Sequence, residues 1–346
     1  MGEKIAVIGA GAAGTVTAAY LTDKGFHVIL CDKEEHCRED FASIAERGID
    51  VKGPGLVSGL SPKVLTHNID EAMEASRVLV CVSGGRQKEI AEWMSPYIRS
   101  AHSLLLMPGN LGTLVFHRVF EKEGQKAGLL AELGECPWAV RRLAPGSYVS
   151  AMPLGQKRIA AFPSKDTQKA LERFQDLFPL KAGSNLIEIC LNSPNVITHL
   201  SGTLLNLGEI EKKGKDFALF AHGLSHGYIQ CMRLLEEERK QVLEAMKMEC
   251  FAAPVEPLLL KLKNPEAYPE LETFRNLAGP DGLEHRFLTE DASCGTALFV
   301  SSAKKMGKEA RTAEALLNLA SGISGTDYYR LGRTWEWIGK DQEKIL

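Results

Sequence analysis

Lys4-Ile5-Ala6-Val7-Ile8-Gly9-Ala10-Gly11-Ala12-Ala13-Gly14-Thr15-Val16-Thr17-Ala18-Ala19-Tyr20 opens the chain with an apolar strand, a glycine-rich turn and a helix-like run. That order decides the first half of the fold. Each glycine of the G-x-G-x-x-G element has its own task. Gly9 permits the tight turn, Gly11 lets backbone approach a pyrophosphate, and Gly14 lets the helix pack closely on the strand. Amides at the helix start then face negative charge. The loop of Gly9, Ala10, Gly11, Ala12, Ala13 and Gly14 is therefore expected to hold a dinucleotide. A second strand, His27 to Cys31, ends at Asp32, 23 residues past Gly9. A carboxylate at about that distance accepts the ribose hydroxyls of NAD. It also repels a 2′-phosphate, which favours NAD, while the neighbouring Lys33 keeps NADP possible. The plainer reading of Asp32 is a solvated strand end.

The alternation continues outward from this unit. Arg77 to Val82 reads as a strand ending in Ser83-Gly84-Gly85, with a helix over Gln87 to Ile98. Ser103 to Met107 is the next strand and ends in Pro108-Gly109-Asn110. Doubly wound sheets hold ligands on small loops at the carboxyl ends of parallel strands. Ser83, Gly84 and Asn110 are thus candidate cofactor neighbours, although surface turns look the same. Leu129 to Leu133, Tyr148 to Met152 and Arg158 to Phe162 extend the sheet, a helix covers Thr167 to Phe178, and a last strand is expected near Leu186 to Cys190. The seam between two domains, 1–190 and 191–346, falls there, ahead of Pro194, which suits the first turn of a helix.

Beyond the seam helical periods dominate, over Val196 to Ile210 and Phe220 to Met246. The run Glu236-Glu237-Glu238-Arg239-Lys240 reads as a solvated helix face. Asn195, His199, Gly202/Thr203 and Asn206 recur at spacings of three or four and share one face of an otherwise apolar helix. A histidine in such a stripe is either a hydrogen-bonded core residue or an acid/base group lining a cleft. Further on, Ala278-Gly279-Pro280 leads to Arg286 and Asp291. The guanidinium fork suits a carboxylate or phosphate, and an aspartate near a histidine fixes its tautomer. A surface salt-bridge loop is the other reading of this block.

Composition narrows the function. A chain of 346 residues can build two cores, and a net charge of -3 gives no reason to expect nucleic acid or an anionic membrane as partner. No apolar run reaches the roughly 18 residues of a membrane span. The chain enters a strand at once, leaving no room for a signal peptide. The eight cysteines are scattered without a C-x-x-C pair, so neither a metal site nor a disulfide framework is expected, and a reducing cytoplasm fits.

Taken in order, these blocks resemble the octopine/nopaline (opine) dehydrogenase family. The shared elements are the glycine loop with Asp32, Gly53-Pro54-Gly55-Leu56, Pro108-Gly109, and Asn195 and His199 with Leu204-Leu205-Asn206. Glu238-Arg239, Ala278-Gly279-Pro280 with Arg286 and Glu290-Asp291, Thr326-Asp327 and Gly332-Arg333-Thr334 follow. The bacterial members that join a 2-oxo acid to an amino acid are the most similar. The resemblance implies an α/β Rossmann-type doubly wound domain followed by an all-α domain of the 6-phosphogluconate dehydrogenase C-terminal type, with the active site in the interdomain cleft. It implies NAD(P)H-dependent reductive condensation of an amino acid amine with a 2-oxo acid such as pyruvate, through an imine. His199 would be the acid/base catalyst, Asp291 its partner, and Arg286 a holder of anionic groups. Asn195 and Asn206, on the same stripe, are assigned to substrate binding. One departure is Leu200, where members of the family often have proline after the motif histidine.

Two other readings compete. A 2-dehydropantoate reductase or beta-hydroxyacid dehydrogenase also pairs a Rossmann domain with a helical one, but places a catalytic lysine on the interdomain helix, and no lysine lies between Asn195 and Asn206. A non-catalytic NAD-binding sensor would have no use for His199 and Asp291. Small-molecule substrates are the expected partners, and the apolar second half allows a homodimer.

Overall fold

The computed structural model describes residues 3–346, which divide into two compact units between Leu186 and Ile187. The first is built on an eight-stranded sheet in the order β11-β10-β7-β6-β5-β1-β2-β4. Its strands are β1 (Lys4–Ile8), β2 (His27–Cys31), β4 (Val64–Thr66), β5 (Arg77–Val80), β6 (Ser103–Leu106), β7 (Leu129–Leu133), β10 (Lys157–Phe162) and β11 (Leu180–Ala182). All neighbours from β4 to β7 pair in parallel, and β10 turns the direction by pairing antiparallel with β7, Ile159 opposite Leu133.

Because successive strand side chains point to opposite faces, β1 supplies both cores. Ile5 and Val7 join one buried cluster with Val16, Leu21 and Phe174, whereas Ala6 and Ile8 join the other with Ile90, Met94, Phe116 and Phe120. Helices thus cover both faces: Ala12–Asp23 and Thr167–Phe174 on one, Gln87–Met94 and Gly112–Lys122 on the other. That is the doubly wound arrangement expected, and it brings the carboxyl ends of β1, β2, β5 and β6 to one edge.

The expected Tyr148 strand forms, as β9 (Ser147–Ser150), but outside the main sheet. It sits between β3 (Asp50–Lys52) and β8 (Val140–Ala144) in a separate three-stranded sheet. Asp40 ties that sheet to the helix Glu34–Arg47 by accepting from Tyr148 Oη at 2.7 Å, Gly146 N at 2.8 Å and Arg142 Nε at 3.0 Å.

The second unit is helical throughout the described residues. The strand expected near Leu186 to Cys190 is instead the helix Leu186–Leu191. A six-residue apolar run does not distinguish the two by periodicity. Here Glu188 decides, because its buried carboxylate accepts from Glu249 N at 3.0 Å, inside the helical unit. The unit boundary accordingly lies four residues before the expected seam.

The long helices are also broken more often than periodicity predicts. Asn195–Leu205 stops at Asn206, and Leu219–His222 is separate from His226–Ala245, which Ser225 caps by accepting from Tyr228 N at 3.1 Å. Nor is the Glu236–Lys240 run a purely solvated face. Arg239 is buried, Glu236 accepts from Val255 N at 2.8 Å, and Glu238 accepts from Thr312 N at 2.7 Å at the start of the helix Arg311–Ser324. The charges serve as caps for neighbouring segments.

Candidate active site

At the end of β1 the glycine loop folds as its spacing requires. Gly9 adopts φ +101°, and a Cβ there would lie 2.7 Å from Cys81 O. A Cβ on Gly14 would collide with Gly9 O, so the helix Ala12–Asp23 packs against the strand only without one. Gly11 differs: a Cβ there meets nothing within 4 Å, and the residue is exposed at a helix start that no side chain caps. The first-turn amides of that helix therefore face open space suited to an anion. The loop fits the pyrophosphate of a dinucleotide.

Asp32 is buried rather than a solvated strand end. Its Oδ2 accepts from Ala10 N and its Oδ1 from Lys33 N, both at 2.8 Å, with Arg86 Nη2 at 3.4 Å from Oδ1. The carboxylate thus holds the glycine loop onto β2. Lys33 in turn pairs with Glu89 at 2.5 Å, and Arg86 Nε lies 3.6 Å from Glu89. Two cations and two carboxylates surround the position where the spacing places a ribose.

Ser83 and Gly84 follow β5 and begin the short turn that carries Arg86, so these candidates converge with Asp32. Asn110 follows β6 in a loop with two consecutive left-handed residues, Asn110 at φ 54° and Leu111 at φ 63°. Glu132, fully buried on β7, holds this turn by accepting from Leu111 N at 2.8 Å, Thr113 N at 3.0 Å and Thr113 Oγ1 at 2.9 Å. Gln87 Nε2 donates to Gly109 O at 2.9 Å from the other side.

In the helical unit, His199 lies on Asn195–Leu205 and its Nδ1 is 2.8 Å from Asp291 Oδ2. The two side chains are only 12% and 5% exposed. Ninety-two positions apart in sequence, they meet as the resemblance implied. The imidazole also stacks on Phe287, ring centroids 3.5 Å apart at 13°. Phe287 and Asp291 are four residues apart and so project from one helix face, one holding the ring's plane and the other its Nδ1 edge. Burial pushes the Asp291 carboxyl up to about 7, against the opposing pull of the Arg286 charge. Burial thus holds the carboxyl beside the imidazole toward its protonated form.

Arg286 is exposed, with its guanidinium carbon 5.3 Å from the Phe287 ring centre, beside the pair and open to an anion. Asn195 is half-buried at the start of the same helix as His199. Asn206 Nδ2 donates to Gly202 O at 2.9 Å and closes that helix, so half of its amide is committed. Gly202 admits Tyr228, whose buried hydroxyl donates to Thr198 O at 2.6 Å.

Sequence reasoning passed over Phe287, Arg86 and Glu132. An aromatic four residues before Asp291 and a lone acid inside Leu129–Leu133 were visible signals. Arg86, by contrast, acquires meaning only from the parallel order of β2, β1 and β5.

A dinucleotide loop on a parallel sheet and a buried histidine–aspartate pair on helices define a nicotinamide-dependent oxidoreductase of two units. Residues 182–324 match the profile described as NAD/NADP octopine/nopaline dehydrogenase, alpha-helical domain. Residues 5–162 match the ketopantoate reductase PanE/ApbA profile. An opine dehydrogenase of Arthrobacter sp. (strain 1C) is 26% identical over 96% of this chain and 94% of its own length. A solved octopine dehydrogenase with NADH and pyruvate has a TM-score of 0.71 at 17% identity, covering 98% of this chain and 96% of that one. A ketopantoate reductase from Ralstonia eutropha has a TM-score of 0.62 at 17% identity, over 93% and 98%.

Proposed function

We propose that this chain is an opine dehydrogenase, reversibly condensing an amino acid with a 2-oxo acid such as pyruvate at the expense of NADH. The observation that carries the reading is the buried contact of 2.8 Å between His199 and Asp291. In the synthetic direction the amine adds to the carbonyl, the carbinolamine loses water, and the imine accepts hydride and a proton to give a secondary amine. One molecule of water and one of NAD⁺ leave. The nicotinamide supplies the hydride when bound, so no side-chain nucleophile is required.

The chain's own residues manage protons and charge. With Nδ1 directed to Asp291, His199 exchanges protons through Nε2, taking one as the amine adds and returning it as hydroxide departs. Phe287 keeps the ring from rotating off that line. Arg286 pairs with a substrate carboxylate, and Asn195 with Asn206 Oδ1 supply further polar contacts along the stripe. Gly9, Ala10, Gly11, Ala12, Ala13 and Gly14 hold the pyrophosphate, Asp32 the adenosine ribose, and Ser83, Gly84 and Asn110 line the strand ends beside it. The substrates are small molecules, a cytoplasmic location is expected, and a homodimer is the assembly to test by light scattering. No helix among the described residues is long and apolar enough to cross a membrane.

NADH oxidation with pyruvate against each common amino acid, with mass spectrometry of the product, tests this reading. A secondary-amine dicarboxylate is the expected product. The ketopantoate reductase match over residues 5–162 makes ketopantoate the control substrate. Reduction of ketopantoate with no amine-dependent turnover would replace the proposal, and nucleotide binding without turnover on any substrate would make the chain a sensor.

A further inference from the structure

Asp291 reaches His199 from an unusual piece of helix. Arg286–Glu290 is α-helical, Asp291–Thr296 is a π-helical turn in which Ala297 N bonds back to Ala292 O, and Ala297–Lys305 is α-helical again. A π turn carries an extra residue, is rare, and recurs at functional sites. It turns everything after it by about 100° relative to a regular helix. In this way Phe287 and Asp291 face His199 while the following helix packs elsewhere. The support comes from two sides. Ser293 Oγ donates to Thr289 O at 2.8 Å within the turn, and Arg333 N donates to Ser293 O at 2.8 Å from the C-terminal segment.

Gly332 makes that second contact possible. A Cβ there would lie 2.5 Å from Ala297 Cβ, 2.5 Å from Tyr328 O and 2.7 Å from Ser293 O. Further along, Trp335 N donates to Ser301 Oγ at 3.2 Å and its Nε1 to Ser302 Oγ at 2.9 Å. The segment therefore grips the π turn at Gly332–Arg333 and the regular helix beyond it at Trp335. Gly332-Arg333-Thr334 is also a sequence block to which the proposed chemistry gives no task.

We propose that Gly332 and Arg333 are positioning residues for the acid–base pair. The Arg333 amide provides a donor to the turn's Ser293 carbonyl, two residues past Asp291, and Gly332 allows the close approach. Together they fix where the Asp291 carboxylate meets the imidazole. The inference rests on His199 and Asp291 carrying the proton transfers.

The test is Gly332→Ala in the full chain, with kcat, KM and the pH–rate profile measured on the condensation, NADH binding followed by fluorescence, and folding by circular dichroism. A displacement of about 1 Å at a reacting group costs up to about 100-fold. The expected result is a kcat loss of about tenfold or more with a displaced pH profile, KM and NADH affinity staying within about threefold. A folded variant with wild-type kcat and pH profile overturns the proposal. Should Gly332→Ala not fold, Arg333→Pro removes the amide that donates to Ser293 O, and the extended backbone of Gly332 accepts a following proline. It is expected to shift the pH profile in the same sense, and a folded Arg333→Pro variant with a wild-type profile overturns the proposal equally. A His199→Ala enzyme that keeps its activity overturns the catalytic reading and this inference with it. Loss of activity in His199→Ala beside full activity in Gly332→Ala overturns the positioning role alone.

Discussion

His199 is the residue on which activity turns, and its replacement is the sharpest measurement. His199→Ala is expected to lower kcat on the order of 100-fold or more while NADH still binds, as a lost acid/base group should; a variant with most of its activity removes the imidazole from the chemistry. Asp291 separates activity from stability. Its carboxyl titrates at about 7 because it is buried, whereas an unfolded carboxyl titrates at about 4. The native state thus binds this proton more tightly than the unfolded chain. Its contribution to stability is full below about pH 4 and is lost as the pH rises through about 7. Asp291→Asn lacks that loss. Its melting temperature is expected to rise relative to wild type between about pH 5 and about pH 8, by a few degrees, even as turnover falls. A pH-independent difference would contradict a costly buried carboxyl. At the nucleotide end, Lys33 and Arg86 flank Asp32, so a 2′-phosphate meets cations as well as an anion. Arg86→Ala is expected to weaken NADPH several-fold more than NADH, measured as the ratio of their dissociation constants.

Among the elements, the glycine loop separates tasks that one motif combines. Gly14→Ala places a methyl group against Gly9 O and is expected to destabilise the first unit, visible as a lowered melting temperature without ligand. Gly11→Ala meets open space, so the fold should persist while NADH affinity drops. Equal stability loss in both variants would deny the distinction. Such elements were legible because their chemistry is local: strand, turn and helix follow one another within Lys4–Asp23. The stripe around His199 was legible for the same reason. Leu186–Leu191 was misread because six apolar residues have no period to measure, and the deciding partner of Glu188 is 61 positions away. The Glu236–Lys240 run was misread because its partners, Val255 and Thr312, lie on other segments. Local pattern does not reveal what a charge caps. The π turn at Asp291–Thr296 was not legible because part of its support, the Arg333 amide on Ser293 O, comes from a segment 40 positions away.

For the molecule as a whole, the division between Leu186 and Ile187 assigns the nucleotide loops to one unit and the histidine–aspartate pair to the other. NADH at about 100 times its dissociation constant contributes about 2.7 kcal/mol to whatever it binds. Hydrogen exchange with and without NADH should therefore show protection centred on residues 9–14, 32–33, 83–87 and 109–113. Protection confined to the helical unit would misplace the cofactor. Within that unit the 20-residue helix His226–Ala245 spans about 30 Å. It touches the His199 helix near one end through Tyr228, and from its middle anchors Val255 and Thr312 through Glu236 and Glu238. Such a spindle frees the peripheral connections from holding the reactive centre in place. Residues 263–277 can then be lengthened, shortened or recast to suit a different amine, while His285 still caps the helix that carries Phe287 and the proton-handling machinery passes on unaltered.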